Sequence, residues 1–187
     1  MTDTDASQQS TISDDFVRQW APRFLAAWHS HDPDQLAALS TEDVEWEDPF
    51  IYPNGRAHGR GELREWLRAI FRAFPDITFE VQGEPLVSLD RTRVAFEWVG
   101  RAKMTGPLEP PGFAPTGAII NFRGVDIHAF RNELLAHVVT ATDVAGVAGQ
   151  IGAMPPPGSV GEKLGVNVQK LTVGVQKLMA KRSGPKN

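Results

Sequence analysis

Between residues 63 and 81 the spacing of apolar residues changes period, and that change limits the folds open to the chain. Leu63, Trp66, Leu67, Ile70, Phe71 and Phe74 recur at the three- and four-residue intervals of an amphipathic helix, which Pro75 ends. From Ile77 onward the interval is two: Ile77, Phe79 and Val81 share one face, then Val94, Phe96 and Trp98. A helical stripe and the faces of several strands must be buried against one another. The pattern therefore predicts an α+β fold with helices segregated from a sheet.

The flanking segments extend this reading. Phe16, Trp20, Phe24, Ala27 and Trp28 form an apolar helical stripe, with Thr11 or Ser13 as cap and Asp14 and Asp15 in the first turn, where the helix dipole favours acids. HSHDPD stops that helix, DQLAALS reads as a short second one, and VEWED as a strand. GPLEPPGFAPTG is too rich in proline and glycine for a ladder and reads as a long loop. AIINFRGVDIHAF and LLAHVVTATD follow as a hairpin turning at residues 131–133. The expected order is helix, helix, strand, helix, then four strands. Residues 1–12 read as a disordered tail, 13–152 as the domain, and 153–187 as a Pro-rich linker with an amphipathic tail.

In that tail GVNVQKL and TVGVQKL are near copies offset by seven, and Leu164, Val168, Leu171, Val175 and Leu178 alternate four and three apart. Its glycines and β-branched residues weaken an isolated helix, so it needs a surface, either its own domain or a second subunit. Lys181, Arg182 and Lys186 read as a solvated tip. A homodimer is the expected assembly.

Composition narrows the partners. A formal net charge of -4 and a pI near 5.7 give no attraction for phosphate backbones, so nucleic acid is not expected. The absence of cysteine excludes disulfides, thiolate metal sites and a cysteine nucleophile. MTDTDASQQSTIS has no signal-peptide character and no apolar run approaches membrane-spanning length, so no membrane partner and a cytoplasmic location are expected.

Two acids stand out because alternation puts them on apolar faces. Val44, Trp46 and Asp48 share one side of an extended segment, so Asp48 either opens the turn at Pro49 or sits in an apolar cavity. Asp126 shares a strand face with Ile120, Phe122, His128 and Phe130. It reads either as a buried acid paired with Arg101, Arg123 or His128, or as a chemical group. Arg101 and Lys103 read as solvent or rim charges. His29, His31 and Asp32 have ligand-like spacing, but they sit where a helix ends, where histidine suits the dipole; no metal is expected.

The segments RFLAAWHSHDPDQLAAL, VEWEDPF, HGRGELREWL, and FRGVDIHAF followed by VVTATDVAGVAGQIG resemble the nuclear-transport-factor-2-like superfamily, most closely the SnoaL-like polyketide cyclases and the ketosteroid isomerases. The resemblance implies a conical α+β barrel, a curved antiparallel sheet wrapped around a long helix, with three N-terminal helices and a C-terminal extension. It implies that Asp48 is a proton-shuttling base and Asp126 a protonated oxyanion donor. The tyrosine of the isomerases falls at Phe24, which has no hydroxyl; the only tyrosine of the chain is Tyr52. The acid/base aspartate of the cyclases falls near Thr140. An epoxide-hydrolase arrangement needs that same acid and an arginine, for which Arg101 stands.

Abstracting a proton beside a carbonyl needs a base, donors for the enolate oxygen and an apolar enclosure. His128 is the candidate to replace the missing donor. Phe24, Trp46, Phe71, Phe96, Trp98, Phe122 and Phe113 are the expected walls, suited to a flat and even polycyclic guest, with Tyr52 and Thr140 as further substrate contacts. The expected activity is a cofactor-independent isomerase or cyclase acting through an enolate on a small hydrophobic carbonyl compound of steroid or polyketide type. The alternatives are a non-catalytic binding or dimerisation domain, and a dehydratase or epoxide hydrolase.

Overall fold

In the computed structural model residues 11–182 are described, residues 178 and 180–182 by backbone alone; residues 1–10 of the tail expected over residues 1–12, and Lys186 of the expected tip, lie outside them. Helix α1 (Asp14–His29) is capped by the Ser13 side chain, which accepts from the Phe16 N–H, and it buries Phe16, Trp20, Phe24, Ala27 and Trp28. Ile12 belongs to the core and not to the tail. It is buried, and its N–H donates to the Arg91 carbonyl at 2.8 Å.

A short helix α2 (Pro33–Ala38) leads into strand β1 (Ser40–Glu47), strand β2 (Arg56–His58) and helix α3 (Gly59–Ala73). α3 buries Leu63, Leu67, Ile70 and Phe71, the stripe read from the sequence. Strands β3 (Thr78–Val87), β4 (Arg93–Lys103), β5 (Ile119–Arg131) and β6 (Leu134–Thr142) follow, then a short helix α4 (Val144–Gln150) and a long one, α5 (Val160–Arg182).

One six-stranded sheet has the order β2-β1-β6-β5-β4-β3. Its neighbours are antiparallel except β1 and β6, which run parallel. The sheet is therefore mixed, a departure from the antiparallel expectation. The whole of β2 through β5 lies between these two strands, so no tight turn fixes their relative direction. The β5–β6 hairpin turns on Asn132 and Glu133, both at positive φ (52° and 61°), the conformation that suits the right-handed twist of the strands.

Curvature comes from register shifts in the β1–β6, β3–β4 and β5–β6 ladders and from two glycines opposite aromatic rings. Gly100 faces Phe122, and Gly124 faces Trp98. A Cβ on Gly124 would lie 2.4 Å from the Trp98 ring and 2.6 Å from the Ala141 carbonyl oxygen. Trp98 thus lies flat where a side chain would stand, and the concave face stays free for the helices.

The loop over residues 104–118 is tied down rather than free. The Thr105 and Gly106 N–H groups donate to the Ala73 carbonyl at the end of α3, Leu108 is buried, and Leu108 bridges to Phe113. A Cβ at Gly106 would lie 2.0 Å from the Arg72 carbonyl oxygen, so only glycine allows this approach.

Gly124→Ala is expected to lower stability by ~1–3 kcal/mol in urea unfolding, because the Ala141 backbone cannot retreat from the added methyl. Gly149→Ala, where a Cβ meets nothing within 4 Å, serves as the control.

Candidate functional site

The concave face of the sheet, α1 and α3 enclose a cavity with about 80 Å³ of free space, room for a handful of waters. Its walls are almost entirely apolar. Phe24 and Trp28 come from α1, Trp46 from β1, Trp66 and Ile70 from α3, and Phe79, Phe96, Trp98 and Phe122 from β3, β4 and β5. Trp46 stacks on Phe24 at 6.2 Å between centroids, and Trp28 and Trp66 meet edge to face at 6.1 Å. Crossed indoles leave the cavity narrower than a polycyclic guest requires, so the space as it stands suits a small molecule.

Four polar side chains reach this wall: Asp48, Asp126, Thr140 and Thr142. Asp48 follows β1 immediately, and both readings of it hold at once. Its Oδ1 accepts from the Phe50 N–H at 2.7 Å, the turn-opening bond, while the residue is buried in the cavity wall. Burial raises its carboxyl pKa to about 7, against the Phe50 N–H, which favours the charged form; the charge of Asp126 raises it further, and the Thr140 hydroxyl bond lowers it.

Asp126 stands directly opposite Thr140 across the β5–β6 ladder and opposite Phe96 on β4. It is 7% exposed, and its Oδ1 has no hydrogen-bond partner among the described residues. Arg101 and Arg123 are exposed and are not its counter-ions; its nearest basic neighbour is His128, whose Nε2 lies 3.6 Å from Oδ2. His128 is fully buried and its Nδ1 accepts from the Trp20 indole N–H at 2.9 Å, so the neutral ring carries its proton on Nε2, toward Asp126. The imidazole contacts Phe24 at 4.6 Å and Phe96 at 5.0 Å. It backs the wall through Asp126 and does not line the cavity itself.

The structure brings together Asp48, Asp126, Thr140, Phe24, Trp46, Phe96, Trp98 and Phe122. It does not bring in three other expected residues. Phe71 points to the core, packing on Trp28 and His31; Tyr52 is 56% exposed on a separate groove; Phe113 is 40% exposed in its loop. Phe71 and Trp66 share the α3 stripe, and only the helix rotation decides which faces the cavity. Trp28, Trp66 and Phe79 were legible as apolar positions but not as walls. The indole N–H groups of Trp46, Trp66 and Trp98 are buried without a hydrogen-bond partner among the described residues, a property no sequence pattern encodes.

His29 and His31 are structural: the Phe79 N–H donates to His29 Nε2 at 3.0 Å, and His31 Nε2 bonds the Ile77 carbonyl at 2.8 Å. Among the described residues no cluster of acids and histidines has the makings of a metal site, and no helix is long and apolar enough to cross a membrane.

The SnoaL-like domain family matches residues 21–138. None of the curated proteins matches the chain. Solved structures share the fold. TsrD from Streptomyces laurentii superposes with a TM-score of 0.64 at 20% identity, covering 76% of this chain and 99% of its own. A proposed SnoaL-like polyketide cyclase from Jannaschia sp. CCS1 gives 0.64 at 16% identity, over 78% and 99%. A hypothetical protein with a ketosteroid isomerase-like fold from Catenulispora acidiphila, solved with trimethylamine, gives 0.59 at 16% identity, over 78% and 100%.

Because the Asp48 carboxyl ordinarily titrates near 3.8 and here near 7, the folded protein holds its proton more tightly than the unfolded chain does. The stability this contributes is fully present below pH 4 and is lost as pH rises through about 7. Asp48→Asn should therefore gain on the wild type as pH rises from 4 to 8, by a few kcal/mol at the upper end, in urea unfolding at each pH.

Proposed function

The chain belongs to the SnoaL-like domain family, and from that premise we propose that it is a cofactor-independent acid/base enzyme that enolises a small hydrophobic carbonyl compound, isomerising or cyclising it. The observation that carries the reading is Asp48, a carboxyl raised to about 7 inside an apolar wall. A base is most effective when its pKa lies near the working pH, and an apolar cavity strengthens its pull on a carbon-bound proton.

The reaction runs as proton bookkeeping. Ionised Asp48 takes the proton on carbon next to the carbonyl, the carbonyl oxygen gains the charge, and the same carboxyl returns the proton at another carbon, giving the isomer. In a cyclisation the enolate carbon instead attacks a second carbonyl of the same chain, and the proton goes to the new alkoxide. Phe24 supplies no donor for the enolate oxygen. The Trp46 indole N–H, stacked on Phe24 and buried without an acceptor, takes that part. Asp126, held 3.6 Å from His128 Nε2, is the second acid of the wall.

The rival reading, a binding domain without chemistry, draws on the Phe50 N–H bond that makes Asp48 a turn residue. Cyclohex-3-enone in D₂O separates the two, since its conversion to the conjugated ketone and its deuterium uptake both need an enolate. The wild type should accelerate both over buffer, with a rate that rises as pH passes about 7. Asp48→Asn should lose ~10²-fold or more, and Trp46→Phe about 10²–10³ in kcat with unchanged folding. Equal rates for the wild type and Asp48→Asn, both folded, would leave the binding reading standing.

A further inference from the structure

Helix α5 follows the MPPPGS break and runs 23 residues, about 35 Å, with Leu164, Val168, Leu171 and Val175 exposed by 63, 56, 70 and 46%. Three glycines (Gly161, Gly165, Gly174) and five valines in one helix are a poor sequence for standing alone in water, where helicity of such a segment depends on a packed partner. Leu164, Val168, Leu171 and Val175 form one line at alternating intervals of four and three. Written as heptads, Val168 and Val175 take the a position and Leu164 and Leu171 the d position, the choice that favours two parallel strands.

The charges agree with that assignment. Lys163, Lys170 and Lys177 repeat every seven residues at position c and Glu162 falls at b, all on the outer side of such a pair. The residues flanking the seam from 165 to 174 are Gly165, Asn167, Thr172 and Gly174, small and uncharged, so two identical helices approach without repulsion. A bilayer suits the stripe less well. It carries no aromatic residue, it is a narrow a/d line, and Val166 and Val173 lie on the far side among the lysines.

We propose that α5 is a pairing element, joining two copies of this chain in a parallel, in-register, two-stranded coiled coil along Leu164, Val168, Leu171 and Val175. Both folded domains then sit at one end of a short stem. The chain has no cysteine, so single cysteines placed in the full-length protein report contacts without background. Under mild oxidation Leu164→Cys and Leu171→Cys should each cross-link at least about tenfold faster than Lys170→Cys, because only seam positions bring two Cβ atoms within disulfide reach. Cross-linking at 171 but not at 164 would mean antiparallel helices and overturn the proposal. So would equal rates at 170 and 171. A third result against it is wild-type co-sedimentation with phosphatidylserine vesicles that Leu171→Lys abolishes, together with no seam cross-link, which would assign the stripe to a bilayer.

Discussion

The cost of placing a carboxyl group in an apolar wall governs the rest of this domain. An acid stripped of water either keeps its proton or finds donors. Asp48 does some of each: the Phe50 N–H and the Thr140 hydroxyl hold part of its charge, and burial with the nearby Asp126 pushes its pKa up to about 7. Losing either donor would push the pKa further up, and gaining others would bring it down. The intermediate setting leaves both the neutral and the ionised carboxyl populated near neutrality.

Holding that setting requires an exact meeting of β1, β5 and β6. Asp48 arrives at the end of β1, Thr140 on β6 and Asp126 beside it on β5; the parallel β1–β6 pairing brings the end of β1 to the level of the β6 residues that face Asp126. Curvature supplies the remaining room. Glycines opposite Phe122 and Trp98 let those rings lie close to the sheet, so the wall bends inward without filling with backbone-hugging side chains. Behind the wall, the Trp20 indole N–H satisfies one nitrogen of the buried His128 imidazole, and the other, without a hydrogen-bond partner among the described residues, lies 3.6 Å from Asp126.

Much of the architecture was legible because it rests on periodicity. The α3 stripe, the α1 stripe and the alternation in β3 to β6 each reflect one-sided burial, which a sequence displays directly. The parallel β1–β6 pair was not legible, since strand direction is set by a long connection and leaves no local trace. Asp48 and Asp126 were legible for the same reason as the core: alternation puts a charge where an apolar residue belongs, an inconsistency that marks a site. Phe71 and Tyr52 were misplaced because a helix stripe spans more than one wall, and because an aromatic beside a turn can face either way. The partnerless indoles of Trp46, Trp66 and Trp98 depend on where their neighbours' acceptors are absent, which only three-dimensional placement reveals.

Those indoles also bear on why the cavity is narrow and yet polar in reserve. A buried N–H without an acceptor costs on the order of 1–3 kcal/mol, and a domain with three of them in one wall carries that cost in the ligand-free state. Filling the cavity with a larger hydrocarbon side chain would remove none of it. A guest would relieve it only where its acceptor reaches one of these nitrogens. A purely apolar guest would leave every orphan donor unsatisfied.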